Sequence, residues 1–268
     1  MVYFCTKSYY MKFYFLIILF FFQCSHLFSQ KTTLENKYPD YAFQNYQMSF
    51  DRVKNAMAKH EGNIKSMFEE KGLKYPCANI LYRAFKASNE FELWARNSII
   101  DTFVLVKKYK ICALSGILGP KRYEGDKQVP EGFYFISDFN PKSNYHLAML
   151  VNYPNYSDLI EGDKNQPGGD IYIHGACMTI GCLPMTDQII EEIYILSMIS
   201  RTYGQLNIPV HIFPVRYNQK SLDYIGKEYK NEAKKQAFWV NIKRAYDYFE
   251  ATRKTLPVMY DEKGEYAF

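Results

Sequence analysis

Between Ile80 and Phe213 the chain breaks repeatedly into short runs of β-branched and aromatic residues, and these commit this part of it to a sheet. The runs are Ile80 to Phe85, Phe91 to Ala95, Thr102 to Val106, Ile111 to Leu114, Gly132 to Ile136, Tyr145 to Val151, Ile171 to His174 and Val210 to Phe213. Ser115-Gly116 and Gly119-Pro120 punctuate them. The polar connection from Tyr153 to Asp170, with Pro154, Pro167, Gly168 and Gly169, is long enough to be a functional loop.

Helical spacing flanks and interrupts the strands. Val53, Met57, Ile64, Met67 and Phe68 predict a helix from Asp51, its N-cap, to a stop at Gly72, with His60 packed on its apolar stripe. Thr186 or Asp187 starts a second helix, with Ile189, Ile190, Ile193, Leu196 and Ile199 on its apolar face and Gly204 at its end. Phe238, Ile242, Ala245 and Phe249 predict one helix over Lys227 to Lys254, stopped by Pro257. Residues 30–50 show no period and read as a loose lead-in. The order helix, many strands, helix, strand, helix argues for an α+β fold with a mixed, largely antiparallel sheet.

The N-terminus has the layout of a secretory signal peptide. Lys12 precedes the apolar run Phe13 to Phe22, and small and polar residues follow from Ser25 to Ser29. Cleavage after Ser29 leaves Gln30 first; lipidation at Cys24 and a retained membrane anchor are the alternatives. The expected location is the periplasm or cell envelope. Without residues 1–29 the formal charge falls from +5 to +3, too mild for a nucleic-acid partner. The expected organisation is 1–29 leader, 30–79 helical lead-in, 80–217 catalytic domain and 218–268 helical extension.

Cys77, Cys112, Cys177 and Cys182 follow the leader. In an oxidising compartment they would form structural disulfides. Cys77 with Cys112 is one pairing and Cys177 with Cys182 another, or Cys177 simply lines the site. None has zinc-finger spacing, so no metal is expected.

The stretch DIYIHGACMTIGCLPMTD, Asp170 to Asp187, carries the chemistry. A strand delivers His174, a glycine-flanked loop follows, and Cys182 stands just before a helix. A thiol of pKa roughly 8.5 is mostly protonated at neutral pH, and a nearby imidazole can take its proton. Gly181 lets the backbone approach a substrate, so amides of Gly181 and Cys182 are candidate oxyanion donors. A satisfied strand-end histidine beside a small buried thiol gives the same spacing.

These residues resemble the catalytic motif of the L,D-transpeptidase family, the YkuD-like domain, in which a strand ending His-Gly leads to Ser/Thr-x-Gly-Cys. The counterparts here are His174-Gly175 and Thr179-Ile180-Gly181-Cys182. Ser115-Gly116, Leu118 to Lys121, Glu124 to Asp126, Pro130 to Tyr134, Tyr153 to Asn155 with Asp158, and Phe213-Pro214 with Arg216 extend the resemblance over about Ile80 to Tyr217, most closely to the YafK-like murein branch. Ile180 stands where many members have His, and Pro184 where many have Arg or Asn.

The resemblance implies peptidoglycan stem peptides as partners, with a wall-attached protein as a further acceptor or substrate, and no cofactor. It implies that Cys182 attacks the third stem residue, expels the terminal D-alanine and forms a thioester, with His174 moving the proton. Lys121 and Arg216 then either hold stem carboxylates or are solvated charges. Tyr153 and Asn155 either shape the acceptor side or form a turn after Pro154. Thr179 either positions His174 or stabilises the loop, and Gly175 supports it. Three functions follow: a transpeptidase, a hydrolase or amidase using the same thioester, and a non-catalytic wall-binding protein.

Overall fold

The computed structural model describes residues 39–268. The leader and residues 30–38 of the lead-in lie outside the described residues. Helix α1, Tyr41–Met48, occupies sequence read as irregular. It has little apolar periodicity and is fixed from outside. The Asp40 carboxylate accepts the Phe43 N–H at 3.0 Å, Phe43 packs edge-on against Phe139, and Tyr194 donates its hydroxyl to Gln47 at 2.6 Å. Helix α2, Asp51–Glu69, buries Val53, Ala56, His60, Ile64 and Phe68. Phe50 is its N-cap; Asp51 sits in the first turn, where its charge favours the helix dipole. Gly72, at φ +67°, turns the chain after it.

Strands β1 (Ile80–Phe85), β2 (Glu90–Ala95), β3 (Val104–Lys110), β4 (Gly132–Asn140), β5 (Ala148–Val151), β6 (Tyr172–His174), β7 (Leu183–Pro184) and β8 (Ile208–Phe213) form one sheet in the order β3-β2-β1-β8-β4-β5-β6-β7. The β1–β8 and β6–β7 pairs are parallel and the others antiparallel. The mixed, largely antiparallel α+β fold is the one expected. Helix α3, Tyr156–Glu161, lies in the connection read as loop, started by an Asn155–Asp158 capping box. The expected strand Ile111–Leu114 is irregular instead. Ile111 donates its N–H to Asn89 and Cys112 to Pro184, which takes this segment off the β3 ladder.

Every residue of β1 is buried, because both faces of the central sheet are covered. Tyr82, Ala84, Val210 and Ile212 pack with α2 and with helix α4, Asp187–Thr202, which Thr186 caps. Phe85, Phe133 and Phe213 face the other way, onto Trp239, Ile242 and Tyr246. Those last residues belong to helix α6, Ala233–Thr252, preceded by α5, Gln219–Glu228. The helix expected over Lys227 to Lys254 is α6, starting later, at Ala233; α5 occupies sequence where no helix is expected. Tyr229 ends α5, and its ring packs edge-on against Trp239, in the second turn of α6. Helix α6 stops at Arg253, in the left-handed region, ahead of Pro257. A hairpin of β9, Met259–Tyr260, and β10, Tyr266–Ala267, closes the chain.

Candidate active site

His174 is the last residue of β6, and Cys182 directly precedes β7. Those strands run parallel with Ile173 opposite Leu183 and His174 opposite Pro184. The pairing folds the intervening loop back on itself. Both side chains line one groove of about 450 Å³, with Tyr145, Asp170, Tyr172 and Ile180 on its walls.

Two glycines allow the loop its path. A Cβ on Gly175 would lie 2.6 Å from Asp187 Oδ1 and 2.8 Å from the Tyr145 carbonyl. Gly181 has φ +142°, which a side chain would strain. Thr179 Oγ1 accepts the Gly181 N–H at 3.1 Å and donates to the Cys182 carbonyl at 2.9 Å. Thr179 thus stabilises the loop around the cysteine. It also engages the Gly181 amide, so of the two expected oxyanion donors the Cys182 N–H is the better placed.

Cys182 is a free thiol. Its Sγ accepts the Tyr172 N–H at 3.4 Å and faces the Asp170 carbonyl at 3.5 Å. Burial pushes the thiol above its ordinary range, against the Tyr172 hydrogen bond, which lowers it. His174 is 3 % exposed, and burial holds its imidazole below the ordinary value, partly offset by a hydrogen bond to the Gly175 carbonyl. That bond, from Nδ1 at 2.5 Å, assigns the proton to Nδ1 and leaves the Nε2 lone pair as base. A thiol and an imidazole thus share one groove, each shifted by burial toward its neutral form.

Residues 86–212 match the family model for the L,D-transpeptidase catalytic domain, YkuD. A relative in Escherichia coli (strain K12), provisionally named L,D-transpeptidase YafK, is 36 % identical over 177 residues, covering 65 % of this chain and 68 % of the relative. The chain belongs to the L,D-transpeptidase catalytic domain family. Among solved structures, the L,D-transpeptidase domain is similar to the helical cell shape determining protein Pgp2 of Campylobacter jejuni in its K307A form, at TM-score 0.42 and 19 % identity over 71 % of this chain and 62 % of that one. It is also similar to Bd1075 of Bdellovibrio bacteriovorus, at TM-score 0.38 and 18 % identity over 70 % of this chain and 65 % of that one.

Within this family domain, several residues singled out beside the pair are engaged with partners inside the chain. Lys121 is buried, and its Nζ donates to Asp126 at 2.6 Å and to the Tyr123 carbonyl at 2.9 Å, leaving it unavailable to a stem carboxylate. Arg216 donates Nε to Glu90 at 2.5 Å, pairs also with Glu92 and covers the Phe85 ring. It lines a separate cleft together with Leu118 and residues of α5. Tyr153 is buried and donates its hydroxyl to the Pro167 carbonyl at 2.9 Å. Asn155 caps α3 and donates its amide to Phe133 and Tyr266. In all four, buried internal partners replaced the solvent-facing role that a charged or polar residue near a turn suggested.

The cysteine pairing also differs from both expected pairings: Cys112 is joined to Cys177, and Cys77 is buried and free. The disulfide ties the His174–Cys182 loop to the segment after β3. Spacing carries no signal for this pairing, because the two cysteines meet only through the sheet order. Tyr145, which sequence pattern alone places at a strand start, lies in the groove wall with its ring tilted against His174 at 4.8 Å. Among the described residues no cluster of His, Cys, Asp and Glu is arranged to hold a metal.

Proposed function

We propose that this chain is an exported acyltransferase acting on the tetrapeptide stems of bacterial peptidoglycan, with Cys182 as nucleophile and His174 as base. The observation that carries this reading is the shared groove, in which a free thiol sits with an imidazole whose Nδ1 is tied down and whose Nε2 is left to accept a proton. Sγ attacks the carbonyl of the third stem residue as its proton passes to His174 Nε2. The Cys182 N–H stabilises the developing oxyanion in this reading, the Gly181 N–H being taken by Thr179. Collapse breaks the bond to the terminal D-alanine, whose amine takes the proton back from His174, and leaves a thioester. An amine from another stem resolves it as a crosslink; water resolves it as hydrolysis.

Export is supported by the leader-like start of the sequence and by the Cys112–Cys177 disulfide, which fits an oxidising compartment. The test is incubation of wild type and Cys182→Ala with purified wall fragments, read by mass spectrometry. Turnover is expected for the wild type and a loss of at least about a thousandfold for the variant, whose circular dichroism is unchanged. Crosslinked dimers identify the transpeptidase, and stems shortened or stripped of an attached peptide identify the hydrolase. A Cys182→Ala protein that works at the wild-type rate would overturn the mechanism.

A further inference from the structure

The ring of Tyr145 lies on the face of the His174 imidazole, centroids 4.8 Å apart and planes 40° from parallel. Tyr145 belongs to the turn between β4 and β5, residues 141–147, which forms one wall of the Cys182 groove. Its carbonyl backs onto Gly175, where a Cβ would come within 2.8 Å of it. The turn is not relaxed on its own account. His146 sits at φ +67°, a left-handed conformation that is strained for a non-glycine residue and persists where the surroundings impose it.

The imposing groups come from two helices. Arg52 of α2 donates Nη1 to the Ser143 carbonyl at 2.8 Å and also to the His146 carbonyl. Ser143 Oγ in turn accepts the Tyr145 N–H at 3.0 Å. Glu191 of α4 takes His146 Nε2 on one oxygen at 2.9 Å. Its other oxygen takes His60 Nε2 at 2.9 Å and Lys59 Nζ at 2.7 Å. Arg52, Lys59 and His60 all precede the family match, which begins at residue 86. The brace is thus supplied in part by a helix outside the matched domain.

We infer that Tyr145 is a positioning residue for His174, held against the imidazole by Arg52, His146 and Glu191. This rests on His174 being the base. One edge of the imidazole is fixed by the Gly175 carbonyl, and the Tyr145 ring blocks the rotation that would break that bond and swing Nε2 out of line. Misplacement of a reacting group by about 1 Å can cost on the order of a hundredfold in rate, so a brace of this kind acts on turnover rather than on binding.

The test compares Tyr145→Ala, Tyr145→Leu, Tyr145→Phe and Arg52→Ala in the full chain. It reads kcat and KM on stem fragments, and the pH profile of Cys182 alkylation by iodoacetamide, which needs no substrate. Tyr145→Ala and Tyr145→Leu are expected to lower kcat about tenfold or more with KM changed less than about threefold, and to move the acid limb of alkylation upward as the imidazole becomes solvated. Tyr145→Phe regains most of the rate, and Arg52→Ala shifts both readouts in the same direction by less. A folded Tyr145→Ala or Tyr145→Leu protein with wild-type kcat and alkylation profile overturns the inference, as does an effect confined to KM. A wild-type alkylation profile with no histidine limb removes the base reading itself. A wild type that alkylates with that limb but does not turn stems over leaves this inference to be decided on the alkylation arm alone.

Discussion

Burial acts on Cys182 and His174 in opposite senses, raising the thiol and lowering the imidazole, so both are shifted toward their neutral forms. A preformed thiolate–imidazolium pair would show activity tied to sulfur ionisation. Here the requirement is a neutral imidazole, which is lost only as pH falls through a value below the ordinary 6.5. The expected acid limb of kcat/KM therefore lies below pH 6.5; a limb at or above that value in a pH–rate profile counts against the neutral pair. That Cys182 and His174 share a groove was legible because they stand at short separation in the sequence, with glycines between them. The supporting residues were less so. Lys121 and Arg216 look the same in sequence whether they meet a ligand or an internal carboxylate, and only tertiary structure supplies Asp126, Glu90 and Glu92 as partners.

Among the elements, α3 shows how a helix too short for periodicity is fixed by its cap. Asp158 closes the capping box, accepts the Tyr134 hydroxyl at 2.9 Å and is buried, and burial lifts its carboxyl to about 7 against those hydrogen bonds. Between about pH 4 and 7 the folded chain keeps a proton there that the unfolded chain has lost, so this group's contribution to stability falls as pH rises through that window. Asp158→Asn should remove that decline, making the variant's stability relative to wild type improve steadily from pH 4 to 7 in urea unfolding series. A difference that stays constant with pH would refute the assignment. The strands and the long helices were readable because burial on one or two faces writes a period into the sequence. Helix α1, α3 and the α5–α6 break were not, because single side chains such as Gln47, Asn155 and Tyr229 set them.

Taken whole, the molecule depends on its C-terminal helices as much as on the matched domain, since α6 covers the sheet face opposite α4. The tie is a buried ion pair. Glu131 meets Lys86 Nζ at 3.0 Å and the Trp239 indole N–H at 2.7 Å, and accepts the Gly119 N–H at 2.7 Å. Removing one partner of such a pair strands the other, at about 3–5 kcal/mol. Glu131→Ala is expected to lose that much stability in urea unfolding, and Glu131→Ala/Lys86→Met to recover part of it; a single variant as stable as wild type would mean that the pair is not shielded as described. The sequence pointed to Glu131 within a family-like string but not to this use of it, because Trp239 lies more than a hundred positions away.

The disulfide that fastens the catalytic loop has a consequence at the bench. Cys112 and Cys177 enclose a separation of 65 residues, a cross-link worth roughly 4 kcal/mol in the chain-entropy picture. The same dithiol additives routinely used to protect a nucleophilic cysteine during purification would open it and release the loop that carries Cys182. Preparations made with and without reductant should thus differ in melting temperature. In the unreduced sample iodoacetamide should mark Cys182 first and buried Cys77 only on unfolding, while Cys112 and Cys177 stay silent by peptide mass mapping. A sample protected in the usual way would have lost the cross-link that holds the Cys182 loop to the segment after β3.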